Sequence, residues 1–162
     1  MAMKGKNLLS LNIPIPLWRS LIKSLRQRGR GIHESGAFLL GQDGTNKITT
    51  FVLYDDLDPH CLDEGIVIFK GYGFTPLWKL CEEKRIRVMA DIHTHGNMRV
   101  FQSEADKDHP MISKNGHIAL ILPNFAQNHF LNLKGMGIYE YRGDNQWQSW
   151  GLKSGRVKWT LV

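Results

Sequence analysis

Two histidines stand two residues apart in the stretch ADIHTHGNMRVFQSEAD, residues 90–106, and a serine and an aspartate follow them. On a β-strand, side chains alternate between faces, so His93 and His95 project one way and Thr94 the other. Two imidazoles on one face can chelate a single ion. The bare His-x-His pattern is common, and histidines satisfied by ordinary polar contacts account for it equally well. Gly96 ends the strand, and the chain must loop before Asp106 can approach. A carboxylate from the next helix would complete a His2Asp set. Zinc with three protein ligands keeps a fourth position for water, which is the catalytic arrangement rather than the structural one.

Ser103 and Asp106 have a second reading of their own. Ser-x-x-Asp resembles a capping pattern in which the serine starts a helix. The two readings are compatible, because a cap would also fix Asp106 in place. Hydrolysis at such a centre needs a group that accepts and hands on a proton. Glu34 is the candidate, at the start of the strand Ser35–Leu40. An exposed glutamate at a strand end is the alternative.

The elements that must position these residues are legible in outline. A strand is expected over Asn7–Ile13, and Pro14 and Pro16 lead into a helix in which proline is tolerated at the first turn. Leu17, Leu21 and Leu25, flanked by Trp18 and Ile22, form an apolar stripe at helical spacing that fits core packing. Gly29 is a natural stop. Ser35–Leu40 and Ile48–Tyr54 read as strands, residues 55–65 as a polar connection, and Ile66–Phe69 as a further strand. Thr75 and Pro76 read as N-cap and first residue of a helix through about Lys84. Ile86–Ile92 is the strand that delivers the histidines. A loop, a short helix after Ser103 and the strand His117–Leu122 follow, then strands at Ile138–Tyr141, Trp147–Trp150 and Val157–Leu161. Strands mixed with about three helices point to an α+β or three-layer α-β-α domain.

Composition bounds what such a chain can do. With 162 residues, 42% hydrophobic and 22% charged, it is expected to form one domain over 1–162 whose core needs neither a disulfide nor a structural metal. A metal would then be free for catalysis. No apolar run nears the roughly 20 residues that span a bilayer, and a signal-peptide layout is missing, so a cytoplasmic location with no membrane partner is expected. Cys61 and Cys81 are expected to be reduced and structural. The formal charge of +6 raises nucleic acid as a partner. Its densest run, Lys23, Arg26, Arg28 and Arg30, sits at a helix end, where cations complement the dipole. No aromatic interleaving of the nucleic-acid-binding kind accompanies it, so a solvated helix tail is the expectation and nucleic acid is not.

Taken together, ESGAFLLG with Glu34 and closing on Gly41, HTHG with His93 and His95, and SEAD with Ser103 and Asp106 resemble the JAMM signature of the JAB/MPN metalloprotease family. Residues 96–105, ten in all, separate His95 from Asp106, as that signature requires. The resemblance covers most of the chain and weakens after about residue 143. Gly96 departs from it, because the family usually carries proline there, and this puts the rigidity of the loop in question. The fold implied is a curled mixed β-sheet with flanking helices, of the cytidine deaminase-like three-layer α-β-α type.

The resemblance also implies roles. His93, His95 and Asp106 would hold one catalytic zinc ion (Zn2+), Glu34 would act as general base, and Ser103 would donate to the developing oxyanion. Asp91 is a candidate supporting partner behind His93, with an ordinary solvent or turn contact as the alternative. JAMM peptidases resembling this chain cut after the C-terminal glycine of ubiquitin or ubiquitin-like proteins, with the tail added as a strand beside the sheet. YDDLDP, ADIHTHG, NGHIALILPNFA and GIYEY further resemble bacterial stand-alone JAB proteins of ubiquitin-like conjugation operons. This implies maturation or deconjugation of a ubiquitin-like partner, in an antiphage setting. Three alternatives stand beside it: trimming of a sulfur-carrier precursor, a non-catalytic MPN scaffold, and a DNA-associated role within the same family.

Overall fold

A computed structural model describes residues 10–162. β1 (Leu11–Pro14) runs straight into α1 (Ile15–Gly29), with Pro16 in the first turn and Arg30 as a left-handed C-cap. The first strand thus begins later than expected, and residues 7–9 of that expectation lie outside the described residues. β2 (Gly36–Gln42), β3 (Thr50–Leu53), the single turn α2 (Tyr54–Leu57), α3 (Phe74–Lys84) and β4 (Ile86–Thr94) follow. Then come α4 (Glu104–Asp108), β5 (Ile118–Leu122), β6 (Gly137–Tyr141), β7 (Trp147–Trp150) and β8 (Val157–Thr160).

Six strands form one mixed sheet in the order β3-β2-β4-β5-β6-β7, in which only β4 and β5 run parallel. β1 and β8 make a separate parallel pair. Strand alternation gives the sheet two apolar faces. Ala37 and Leu39 join Trp18, Leu21, Ile22 and Leu25 of α1 in one core. Phe38 and Leu40 join Leu77 and Cys81 of α3 in the other, with Tyr54, Phe69 and Phe74 around Phe38. The expected α+β architecture, with helices on both faces of a curled mixed sheet, is therefore what forms. Each fully buried large side chain contributes about 1.5–3 kcal/mol.

A β-bulge in β4 decides which core its C-terminal half faces. Leu39 pairs with Ala90 and Leu40 with Val88, so Met89 is an extra residue. Ile86 and Val88 pack on the α3 side, whereas Met89, Ala90 and Ile92 pack on the α1 side. Unbroken alternation from Val88 would have turned Asp91 and His93 into the α1 core. The bulge sends them to the opposite face. Gly41 makes room for it: a Cβ there would collide with the Met89 sulfur and the Lys47 carbonyl.

Two expectations are corrected. Ile66–Phe69 is irregular rather than a strand. Its amides are used singly, Ile68 N–H on the Cys61 carbonyl and Val67 N–H on the Glu34 carboxylate, so no ladder can form. Thr75 and Pro76 lie inside α3, which starts at Phe74 behind a 3-10 turn at Gly71–Gly73 and has no side-chain cap. Pro76 does no harm there, because the amides of the first turn have no helical acceptor. Among the described residues, no helix is long and apolar enough to cross a membrane.

Candidate metal centre

His93 is the penultimate residue of β4, and His95 follows the strand end by one residue. Their Nε2 atoms lie 3.1 Å apart. Asp106, in α4, brings one carboxylate oxygen to 3.5 Å from His93 Nε2 and the other to 3.5 Å from His95 Nε2. One ligand atom from each residue fits within a 4.8 Å cluster. Two facing imidazole nitrogens and a carboxylate suit a divalent ion of the zinc class. His95 Nδ1 lies 2.9 Å from the Arg99 carbonyl. A carbonyl only accepts, so Nδ1 carries a proton and Nε2 is left as the ligand atom facing His93 and Asp106. The donor set fits a metal.

Asp106 is placed by its own helix start. Ser103 N–H donates to the Asp106 carboxylate at 2.8 Å, and Asp106 N–H donates to Ser103 Oγ at 3.0 Å, a complete capping box. The capping reading of Ser-x-x-Asp holds, and it coexists with the ligand position. Burial would push the Asp106 carboxyl up, but the two histidines and the Ser103 amide outweigh it and hold it far below the usual range. His95 is raised, first by its bond to Asp106, against the opposing pull of burial. A carboxylate held ionised beside two imidazoles is a donor set that can take a cation.

Glu34 sits two residues before β2. Its N–H donates to the Gly65 carbonyl at 2.8 Å, and its carboxylate accepts from Val67 N–H at 3.3 Å. Burial raises its pKa, opposed by the nearby histidines and by the Val67 amide. A half-buried carboxyl raised by desolvation is suited to accepting a proton. Glu34, His93 and Asp106 line one cleft of about 390 Å3. Ile66–Phe69 forms one wall, and Pro110, Met111 and Trp147 contribute to its lining, as do Ala119 and Ile121 of β5. Ser103 is exposed at the start of α4 and is not among the residues lining the cleft.

Asp91 also lines the cleft, and it is neither solvent-facing nor part of a turn. Its carboxylate meets His117 Nε2 at 2.6 Å, and both residues are buried. The basic run is only partly a solvated tail. Arg26 donates to the carbonyls of Ala126 and Asn128, and Arg28 pairs with Asp55 and Asp56. Cys61 and Cys81 are free and buried, and burial pushes the Cys61 thiol up to about 12.

Several positioning groups escape a reading of spacing. Trp147 Nε1 donates to the Lys107 carbonyl at 3.2 Å, tying β7 to the helix that carries Asp106. Tyr139 Oη donates to the Val100 carbonyl at 2.7 Å and restrains the intervening loop. Val67 reaches Glu34 through its backbone alone. Such contacts leave no signature in residue type.

No protein-family model matches the sequence. Solved structures do share its fold. A protein of Desulfitobacterium hafniense, determined in solution, aligns with a TM-score of 0.62 at 11% identity, covering 92% of each chain. A JAB1/MPN domain protein from Archaeoglobus fulgidus aligns with a TM-score of 0.52 at 14% identity, covering 92% of this chain and 98% of that one. The chain has the fold of a JAB/MPN domain. On that fold it carries a His-His-Asp group that could hold a metal ion.

Proposed function

We propose that the protein is a zinc-dependent peptidase or isopeptidase of the JAMM type, cutting after the C-terminal glycine of a ubiquitin-like protein. One observation carries this reading: Glu34, of raised pKa, His93 and Asp106, of lowered pKa, line one cleft, and His95 completes the donor group beside them. His93, His95 and Asp106 would hold the ion. Bound zinc would supply a Lewis acid for the scissile carbonyl and would acidify the attacking water toward neutral pH. Glu34 would take the proton of that water and deliver it to the leaving amine. Its raised pKa favours both halves of the transfer. The Ser103 hydroxyl accepts from the Asp106 amide, so its own hydrogen remains available for a developing oxyanion, a contribution worth about 3–4 kcal/mol in comparable sites. The cleft is lined largely by apolar side chains, and an extended chain without bulky branches would suit it. A glycine-ended tail fits that requirement.

The test is cleavage of a ubiquitin-like protein fused through its terminal glycine to a reporter, with the cut located by mass spectrometry. Zinc-loaded protein should cut directly after the glycine, and chelation should abolish cleavage. Cleavage unaffected by chelation would exclude the metal-dependent reading. A cut elsewhere would exclude the substrate assignment.

A further inference from the structure

We propose that Phe125 is a positioning residue for the metal centre, its ring filling the place of a side chain at position 96 while its turn clamps the backbone of His95. The inference rests on the reading of His93, His95 and Asp106 as metal ligands.

After β5 the chain turns back through Asn124, Phe125 and Ala126, whose φ angles are 53°, 51° and 59°. A single left-handed asparagine is common, but a run that continues through phenylalanine and alanine is not. Such backbone persists where its surroundings over-determine it, and it clusters at functional sites. Here the surroundings are the ligand loop. His95 N–H donates to the Leu122 carbonyl, Phe125 N–H donates to the His95 carbonyl, and Asn124 N–H donates to the Asn97 carbonyl, each at 2.8 Å. Both backbone polar groups of His95 are thus held by the end of β5 and the turn that follows it.

The ring completes the clamp. A Cβ at Gly96 would stand 2.5, 3.0 and 3.2 Å from atoms of the Phe125 ring. Gly96 does not have positive φ, so what a side chain there would meet is the Phe125 ring rather than backbone strain. The doubt over loop rigidity is answered by the partner residue. Further along, Arg99 N–H donates to Asn97 Oδ1 at 2.8 Å, and the Arg99 carbonyl meets His95 Nδ1. The turn therefore fixes the loop, and the loop fixes the imidazole.

The test compares zinc affinity, by competition with a chromophoric chelator, in wild type, Phe125→Ala, Gly96→Ala and the double variant. Circular dichroism confirms that each is folded at the working temperature. Zinc affinity of the folded protein is a readout that a residue serving only to pack the core would not move. Phe125→Ala should weaken zinc binding by about 10–100-fold, the usual effect of removing a group that orients a ligand. Gly96→Ala should also weaken it, and the double variant should lose less than the product of the two, because the collision is gone. Wild-type zinc affinity in folded Phe125→Ala, or losses that simply multiply, would overturn the proposal while leaving the metal centre standing. A wild type that binds no zinc would overturn both. Should Phe125→Ala fail to fold, Phe125→Leu, which keeps an apolar filler but shortens it, is read by the same criteria.

Discussion

At the residue scale, the candidate ligands divide the work unequally. His93 is carried by the sheet, whereas His95 and Asp106 depend on local hydrogen bonds to the Arg99 carbonyl and to Ser103. Asp106→Asn keeps the shape of the helix start but removes the carboxylate whose pKa the histidines hold low. We expect it to lose stoichiometric zinc, measured by elemental analysis, while circular dichroism stays unchanged. Ser103→Ala removes both the cap and the hydroxyl. Loss of the cap costs about 1 kcal/mol, whereas loss of an oxyanion donor lowers kcat by about 100-fold or more. Thermal melts and steady-state kinetics on this one variant therefore separate the observed cap from the proposed oxyanion role. The cap was legible in sequence, because spacing of three with a serine first is a physical requirement of the box, whereas the oxyanion role came only from the family resemblance.

At the element scale, the site depends on the Met89 bulge and on the irregular segment 58–70. Gly41→Ala should strain the bulge and cost about 1–3 kcal/mol in denaturant unfolding, with weaker zinc binding because His93 is displaced. Trp147→Phe removes the bond to the Lys107 carbonyl, and we expect about 0.5–1.5 kcal/mol of lost stability. Asp58 anchors the wall of the cleft. Its buried carboxylate accepts from Tyr72 Oη at 2.5 Å and from Lys70 N–H at 3.0 Å. Burial pushes its pKa up, but these donors outweigh burial and leave it lowered. A lowered folded pKa means stability fully present above the unfolded value, about pH 4, and lost as pH falls through the folded one. The stability gap between wild type and Asp58→Asn, followed by melts across pH, should be constant at neutral pH and should close in acid.

These elements were the less legible ones. Ile66–Phe69 has the composition of a strand, but its amides serve the Glu34 carboxylate and a neighbouring carbonyl, which periodicity cannot reveal. The bulge shows only as a change in facing between Val88 and Ala90. Phe125 and Trp147 act across about 30 to 40 residues of sequence, a distance at which residue type alone carries no signal. What spacing did reveal was local: the His-x-His pair at the end of β4, the capping box and the stripe of α1.

At the scale of the whole molecule, the two cores are built from apolar side chains and do not include His93, His95 or Asp106, so metal binding should add to stability rather than create the fold. A ligand that binds only the folded state at 100 times its Kd contributes about 2.7 kcal/mol, equivalent to roughly 5–11 °C in Tm for a chain of this size. Scanning fluorimetry with zinc should show a shift of that order, reversed by chelation. The net charge of +6 does not mark one basic face in the helix tail, since Arg26 and Arg28 are occupied within the fold. The most direct test of the metallopeptidase account is a paired measurement on wild type and Glu34→Ala: bound zinc per chain, and cleavage of the glycine-linked ubiquitin-like fusion. The account predicts one zinc in both proteins and cleavage in the wild type alone. Full activity in Glu34→Ala, or wild-type protein that cuts with no bound metal, would contradict it.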